Sequence, residues 1–175
     1  NRMEIPFLAV PHDTTTVIVD LTTLALAATH LFADDASVKK YVWFEGKYAA
    51  VDTELQSVKE KLDVYGKTFF DDICGMTPLQ YRDYVQKVYE QKLHAINADA
   101  TISIATRTLA HSYLSMNYAS ALFGFKNNIA MAPMVVGKKG VRRADLSVDT
   151  LSYFKPLEQL PILHSKNQRY YSFLA

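Results

Sequence analysis

The chain is poor in the residues that carry redox and metal chemistry. Cys74 is its only cysteine, so no disulfide can close within the chain and no cysteine-based metal centre can be built. The histidines are His12, His30, His94, His111 and His164. None stands at helical ligand spacing from another His or Cys, and His94 with Glu90 reads as a surface hydrogen-bonded pair. No metal and no cofactor are expected. There is no Walker-type phosphate loop, no GxGxxG, no GxSxG and no HExxH, so the sequence reads as a non-enzyme. Long apolar runs are also missing. The most apolar stretch, Val17 to Ala33, is interrupted by Asp20, Thr22, Thr23, Thr29 and His30, which is too short and too polar for a membrane span. No secretory leader pattern is present.

Glycine and proline are scarce and unevenly placed. Between Pro78 and Gly124 neither occurs. Thr77 is a good N-cap, and Pro78 fits the first helical position, where its missing amide costs nothing. Gly124 stands where a left-handed C-terminal residue is wanted. The stretch Thr77 to Gly124 is therefore predicted to be one long helix of roughly 70 Å, with at most one break near Asn97 to Asp99. Its apolar residues form two stripes. One runs Tyr81, Val85, Val88, Leu93 and Ile96; the other runs Ile102, Ala105, Leu109, Tyr113 and Met116. Two stripes of different direction imply a bend, a break or burial on more than one side.

The flanks read differently. Pro6 and Pro11 exclude a helix at the start and favour an extended N-terminal arm over residues 1–13. Asp13 or Thr14 to Thr16 is expected to cap a helix to about Ala33, although Val17-Ile18-Val19 prefers strand. Ser37 to Ala50 fits either a strand or a helix. Thr53 with Gln56 resembles a capping box for a helix ending at Gly66. After Gly124, Pro133 and Gly137 interrupt an apolar run, Leu146 to Phe154 fits a short helix or a strand, and Pro156 and Pro161 follow. Residues 125–175 are thus expected to form a largely irregular C-terminal arm beyond a helical domain of residues 14–124. Apolar arms need a partner surface, so the N-terminal arm and the residues after Pro156 are expected to contact another subunit. The resulting expectation is an all-α, elongated helical subunit built on one long helix with extended arms.

Hydrophobic residues make up 49% of the chain, with 11 Tyr and 9 Phe. That is enough for a core and for broad contact surfaces. Net charge is +1 but polarised. Residues 1–76 carry 7 Lys/Arg against 12 Asp/Glu, net −5, whereas residues 77–175 carry 12 against 6, net +6. Lys138, Lys139, Arg142 and Arg143 crowd around Gly140, and from Lys126 to Arg143 no acid occurs. Such a cluster suits polyanion phosphates. Lys126, Arg82, Lys87 and Arg107 are added as candidate nucleic-acid contacts, although the helix cations share no single face. A solvated loop is the plain alternative for the cluster.

The Tyr65-Gly66 turn, the Thr77-Pro78 start and the Tyr-rich segment Tyr81 to Ile96 resemble the helical coat proteins of rod-shaped and filamentous archaeal DNA viruses. The resemblance covers about thirty residues. It implies subunits that pair with copies of themselves or a close paralogue and wrap double-stranded DNA held in A-form. A virion location would follow from it, and a cytoplasmic one otherwise. The expectation is a self-assembling structural subunit that holds nucleic acid through backbone phosphates. The rival is a helical adaptor or assembly protein that binds another protein and no nucleic acid.

Overall fold

The structure, a computed structural model, describes residues 8, 10, 12–22, 42–138 and 145–160. It is mostly helical with one small sheet. In order come β1 (Thr15–Val19), β2 (Val42–Gly46), α1 (Ala49–Ser57), α2 (Lys59–Leu62), α3 (Phe69–Ile73), α4 (Pro78–Ala98), α5 (Ile104–Phe123), α6 (Phe125–Val135), α7 (Thr150–Phe154) and a 3₁₀ turn (Lys155–Gln159). Two compact units form. One holds residues 1–60 and 100–109, the other residues 61–99 and 110–175. No helix among the described residues is long and apolar enough to cross a membrane.

In the first unit, β1 and β2 pair antiparallel, Thr15 opposite Gly46 and Val19 opposite Val42. The expected helix start at Asp13 to Thr16 is therefore a strand. Three successive β-branched residues, Val17-Ile18-Val19, lose side-chain freedom in a helix and fit a pleated ladder. Gly46 has φ +119°, and a Cβ there would stand 2.6 Å from the Thr14 carbonyl oxygen, so only glycine closes the ladder. The chain then turns directly into α1. Thr53 lies inside that helix and donates to the Ala49 carbonyl at 2.8 Å, so it does not cap a helix as expected. The Leu8 amide donates to the buried Asp52 carboxylate at 2.7 Å. Residues 1–7, 9 and 11 of the N-terminal arm and the segment after Leu160 lie outside the described residues, and so do the subunit contacts expected of them.

Glu54 joins α1 to the start of α5. One carboxylate oxygen accepts from the Ser103 amide at 2.8 Å and the Ser103 hydroxyl at 2.7 Å. The Thr106 hydroxyl donates to the same oxygen. A borrowed carboxylate thus serves the free amides and the positive end of α5. These donors hold the Glu54 carboxyl below the usual range, the Thr106 hydroxyl most of all.

In the second unit the expected rod folds back on itself. α4 ends at Ala98, and α5 begins at Ile104. Each spans roughly 30 Å. The contacts pair in antiparallel order: Tyr81 with Ala121, Tyr89 with Ser115 and Asn97 with His111. The break falls at the expected place, and its cause is local. Asp99 leaves helical geometry and pairs with Lys61 at 2.5 Å. Folding back buries Tyr81, Val85 and Ile96 of the first stripe, but the buried face of α5 is Thr106, Ala110, Leu114, Tyr118 and Leu122, not the expected second stripe, of which Ala105 is exposed and Leu109, Tyr113 and Met116 are half-buried. The start of α4 is as expected and tighter: Gln80 closes a capping box with Thr77.

Three further expectations are corrected. The helix expected to end at Gly66 stops at Leu62. Asp63 accepts from the Tyr65 amide at 2.8 Å, a local turn that competes with the helix, while Asn117 donates to the Leu62 carbonyl. Gly124 has φ −78° and caps the start of α6, so it is not left-handed. Residues 125–135, expected to be irregular, form α6 with Pro133 inside. Phe125, Ile129 and Ala132 recur at helical spacing and are buried, and α6 packs on α3 and α4. The proline lies in the last turns, where the one lost amide bond to Ile129 costs less than that burial returns.

Tyr81 sits at the centre of this unit, fully buried. Its hydroxyl donates to the Ala121 carbonyl at 2.9 Å and accepts from the Asn128 amide at 2.8 Å. Its ring meets Phe69 edge-on at 6.1 Å. One side chain thereby touches α3, α4, α5 and α6.

Two outcomes are expected. Tyr81→Phe leaves a buried carbonyl and a buried amide without their partner and costs about 1–3 kcal/mol in urea unfolding; an unchanged midpoint would remove Tyr81 from this role. Glu54 contributes stability that is full above its ordinary value of 4.5 and is lost as pH falls through the depressed folded value. Glu54→Gln should therefore lower stability by about 1–2 kcal/mol at neutral pH and flatten the acid limb. Parallel acid limbs for both proteins would contradict the capping role.

Candidate nucleic-acid interface

The second unit carries most of the candidate cations. Arg82 lies one turn into α4 and is half-buried. Its guanidinium donates twice to the exposed Asp83, at 3.0 and 2.7 Å. Lys87 is exposed on the same helix but about 140° around it from Arg82. Lys126 is exposed in the first turn of α6, its ammonium 5.8 Å from the Phe125 ring centroid. Lys138 is exposed just past the other end of α6, roughly 18 Å away along the helix. Arg107 belongs to the first unit and is half-buried there. Lys139, Arg142 and Arg143 lie outside the described residues.

Lys138 owes its position to the end of α6. Gly137 takes φ +67°. The Lys138 amide bonds back to the Pro133 carbonyl at 3.0 Å and the Gly137 amide to the Met134 carbonyl at 3.3 Å. This paired closure ends the helix and satisfies its last carbonyls. The amides of Gly137 and Lys138 are thus engaged in capping.

The structure adds a cation that sequence reasoning passed over. Asp149 caps α7 by accepting from the Ser152 amide at 3.3 Å, and the 3₁₀ turn follows without a gap. That geometry sets Lys155 beside Arg82. Together with Gln86, Ser152, Pro156 and Gln159 they line an open groove of about 230 Å³. A second recess of about 150 Å³ shares Gln86, Pro156 and Gln159 and continues to Tyr89, Glu90, Tyr118 and Leu160. The first recess thus presents two cations, two amides and a hydroxyl, of which Arg82 is held by Asp83, the Gln86 amide donates to Glu90 at 3.0 Å and the Ser152 hydroxyl donates to the Asp149 carbonyl at 3.3 Å. The signal available in sequence was only Asp149 with Ser152 three residues on, followed by Lys155-Pro156. It foretold a capped turn, but not what that turn would face.

Two tyrosines lie beneath the groove. Tyr118 and Tyr153 are buried, and neither hydroxyl has a hydrogen-bond partner among the described residues. Tyr118 stacks on Tyr89 with ring centroids 4.5 Å apart. Burial pushes the Tyr118 phenol up to about 12 and raises that of Tyr153 as well, with Arg82 opposing the latter. Both therefore stay neutral at physiological pH and serve as packing. Among the described residues no group of three His, Cys, Asp or Glu side chains could hold a metal.

Removing a buried hydroxyl that has no partner relieves its desolvation cost. Tyr118→Phe and Tyr153→Phe should each leave thermal stability unchanged or raise it by up to about 1 kcal/mol, in contrast to Tyr81→Phe. A drop above 1 kcal/mol in either variant would show that its hydroxyl has a partner. Searches of protein-family models, curated proteins and solved structures find no match to this chain.

Proposed function

We propose that this protein is a structural subunit that self-assembles on nucleic acid, as a coat protein does, and holds it by phosphate contacts. The observation that carries this reading is the groove in which Arg82 and Lys155 stand together over Gln86, Ser152 and Gln159. Charge supports it: from Ala100 to Ala144 every charged residue is a cation. Exposed Lys126 and Lys138 extend the positive surface within the same unit. The contacts would be to phosphates, without base reading, because a coat must ignore sequence. Double-stranded DNA is the partner that the coat-protein resemblance favours. The role is that of a scaffold and not of an enzyme. The second reading, a protein-binding adaptor, draws on the exposed Met131, Met134 and Val135 of α6.

Each phosphate contact adds about 0.9 to the slope of log affinity against log salt on duplex DNA. Arg82→Gln with Lys155→Gln should flatten that slope by about two units. Changing Lys138, Lys139, Arg142 and Arg143 to Gln should flatten it by about three to four. Both losses should be equal across unrelated duplexes. The measurement is a salt titration of binding by wild type and both variants. Unchanged slopes in both variants would leave the adaptor reading in first place.

A further inference from the structure

Two faces of this chain are open, apolar and opposite in charge. The first is the outer face of the β1–β2 sheet. Ile18 lies directly opposite Trp43, and the two are 41% and 47% exposed. The next pair on that face is Thr16 with Glu45, both exposed. A two-stranded sheet is marginal alone and gains its stability from a covered face. The second is the outer face of α6. Met131, Met134 and Val135 are 50%, 81% and 54% exposed. Lys138 follows directly past the end of this face, exposed. An apolar stripe of three large residues on one short helix is unusual for a surface that meets only water.

We infer that the α6 face of one copy packs on the β1–β2 face of the next, joining copies head to tail. The dimensions match. Two strands present a face about 10 Å wide, the diameter of one helix. The five-residue strands run about 17 Å, and the 11 residues of α6 about 16 Å. Charge selects this pairing over its alternatives. The first unit carries 6 Lys/Arg against 9 Asp/Glu, net −3, and the second carries 13 against 9, net +4. Sheet against sheet brings Glu45 to Glu45, and helix against helix brings Lys138 to Lys138; sheet against helix brings Glu45 to Lys138. A contact between two different faces is heterologous, so it propagates into a ring or an open filament and does not stop at a dimer. This inference rests on the self-assembly part of the proposed function, and names its surfaces.

The test uses two full-length variants, each blocked on one face. Trp43→Lys places a like charge opposite Lys138 and leaves α6 intact. Met134→Glu places a like charge opposite Glu45 and leaves the sheet intact. Sedimentation is run with and without duplex DNA, and the variants are compared in whichever condition wild type assembles. Circular dichroism checks that both fold. Each variant alone should remain monomeric, and an equimolar mixture should give a one-to-one dimer through the two intact faces. Assembly of either blocked variant as in wild type, or a mixture that stays monomeric, overturns these surfaces and leaves self-assembly standing. A wild type that assembles in neither condition overturns the self-assembly reading and this inference with it.

Discussion

The second unit depends on one buried tyrosine. Tyr81 occupies a position where an apolar ring and a polar tip are both required. The ring packs against Phe69 of α3, and the hydroxyl bridges the Ala121 carbonyl near the end of α5 to Asn128 in α6. The Ala121 carbonyl lies in the last turn of α5, where intrahelical partners run out. Tyr81 therefore satisfies a group that burial would otherwise leave costly. Once it is in place, the depth of α4 against α5 is set, and α6 must leave α5 at Gly124 to reach it.

That arrangement accounts for what surrounds it. With α4 and α5 antiparallel, the far end of α4 has to stop where it does. Lys61 holds Asp99, and His111 holds Asn97. With α6 folded back on α3 and α4, its remaining face turns outward. Its exposed residues are therefore apolar in the middle and cationic at the ends. The groove of Arg82 and Lys155 is a product of the same packing: Tyr153 of α7 stands against Phe125 at 4.5 Å. Anchoring that ring delivers the 3₁₀ turn, and with it Lys155, to the second turn of α4. The core and the cationic surface share their causes.

The first unit works by a different constraint. Its sheet has two strands among the described residues, and Ser103 caps α5 by accepting from the Thr106 amide at 3.2 Å. Glu54 holds that cap residue from 49 positions away in sequence, and Asp52 two residues earlier holds Leu8. Two carboxylates on one helix thus tie down segments that local sequence leaves loose.

Local signals in the sequence determined a good deal. Thr77-Pro78 set the start of α4 because capping depends only on neighbours within one turn. The absence of Gly and Pro up to Phe123 determined helix on both sides of the break, and Asn97 to Asp99 marked its place. What local signals missed were outcomes of burial. Val17-Ile18-Val19 needed β2 to become a strand. Residues 125–135 needed α3 to make a helix profitable despite Pro133. Asn117 and Glu54 act through partners distant in sequence, and Lys155 gained its place only because Tyr153 was buried. Periodicity describes which faces of a segment are apolar; which segment covers which face is settled by packing between residues distant in sequence, and only the tertiary structure decides that.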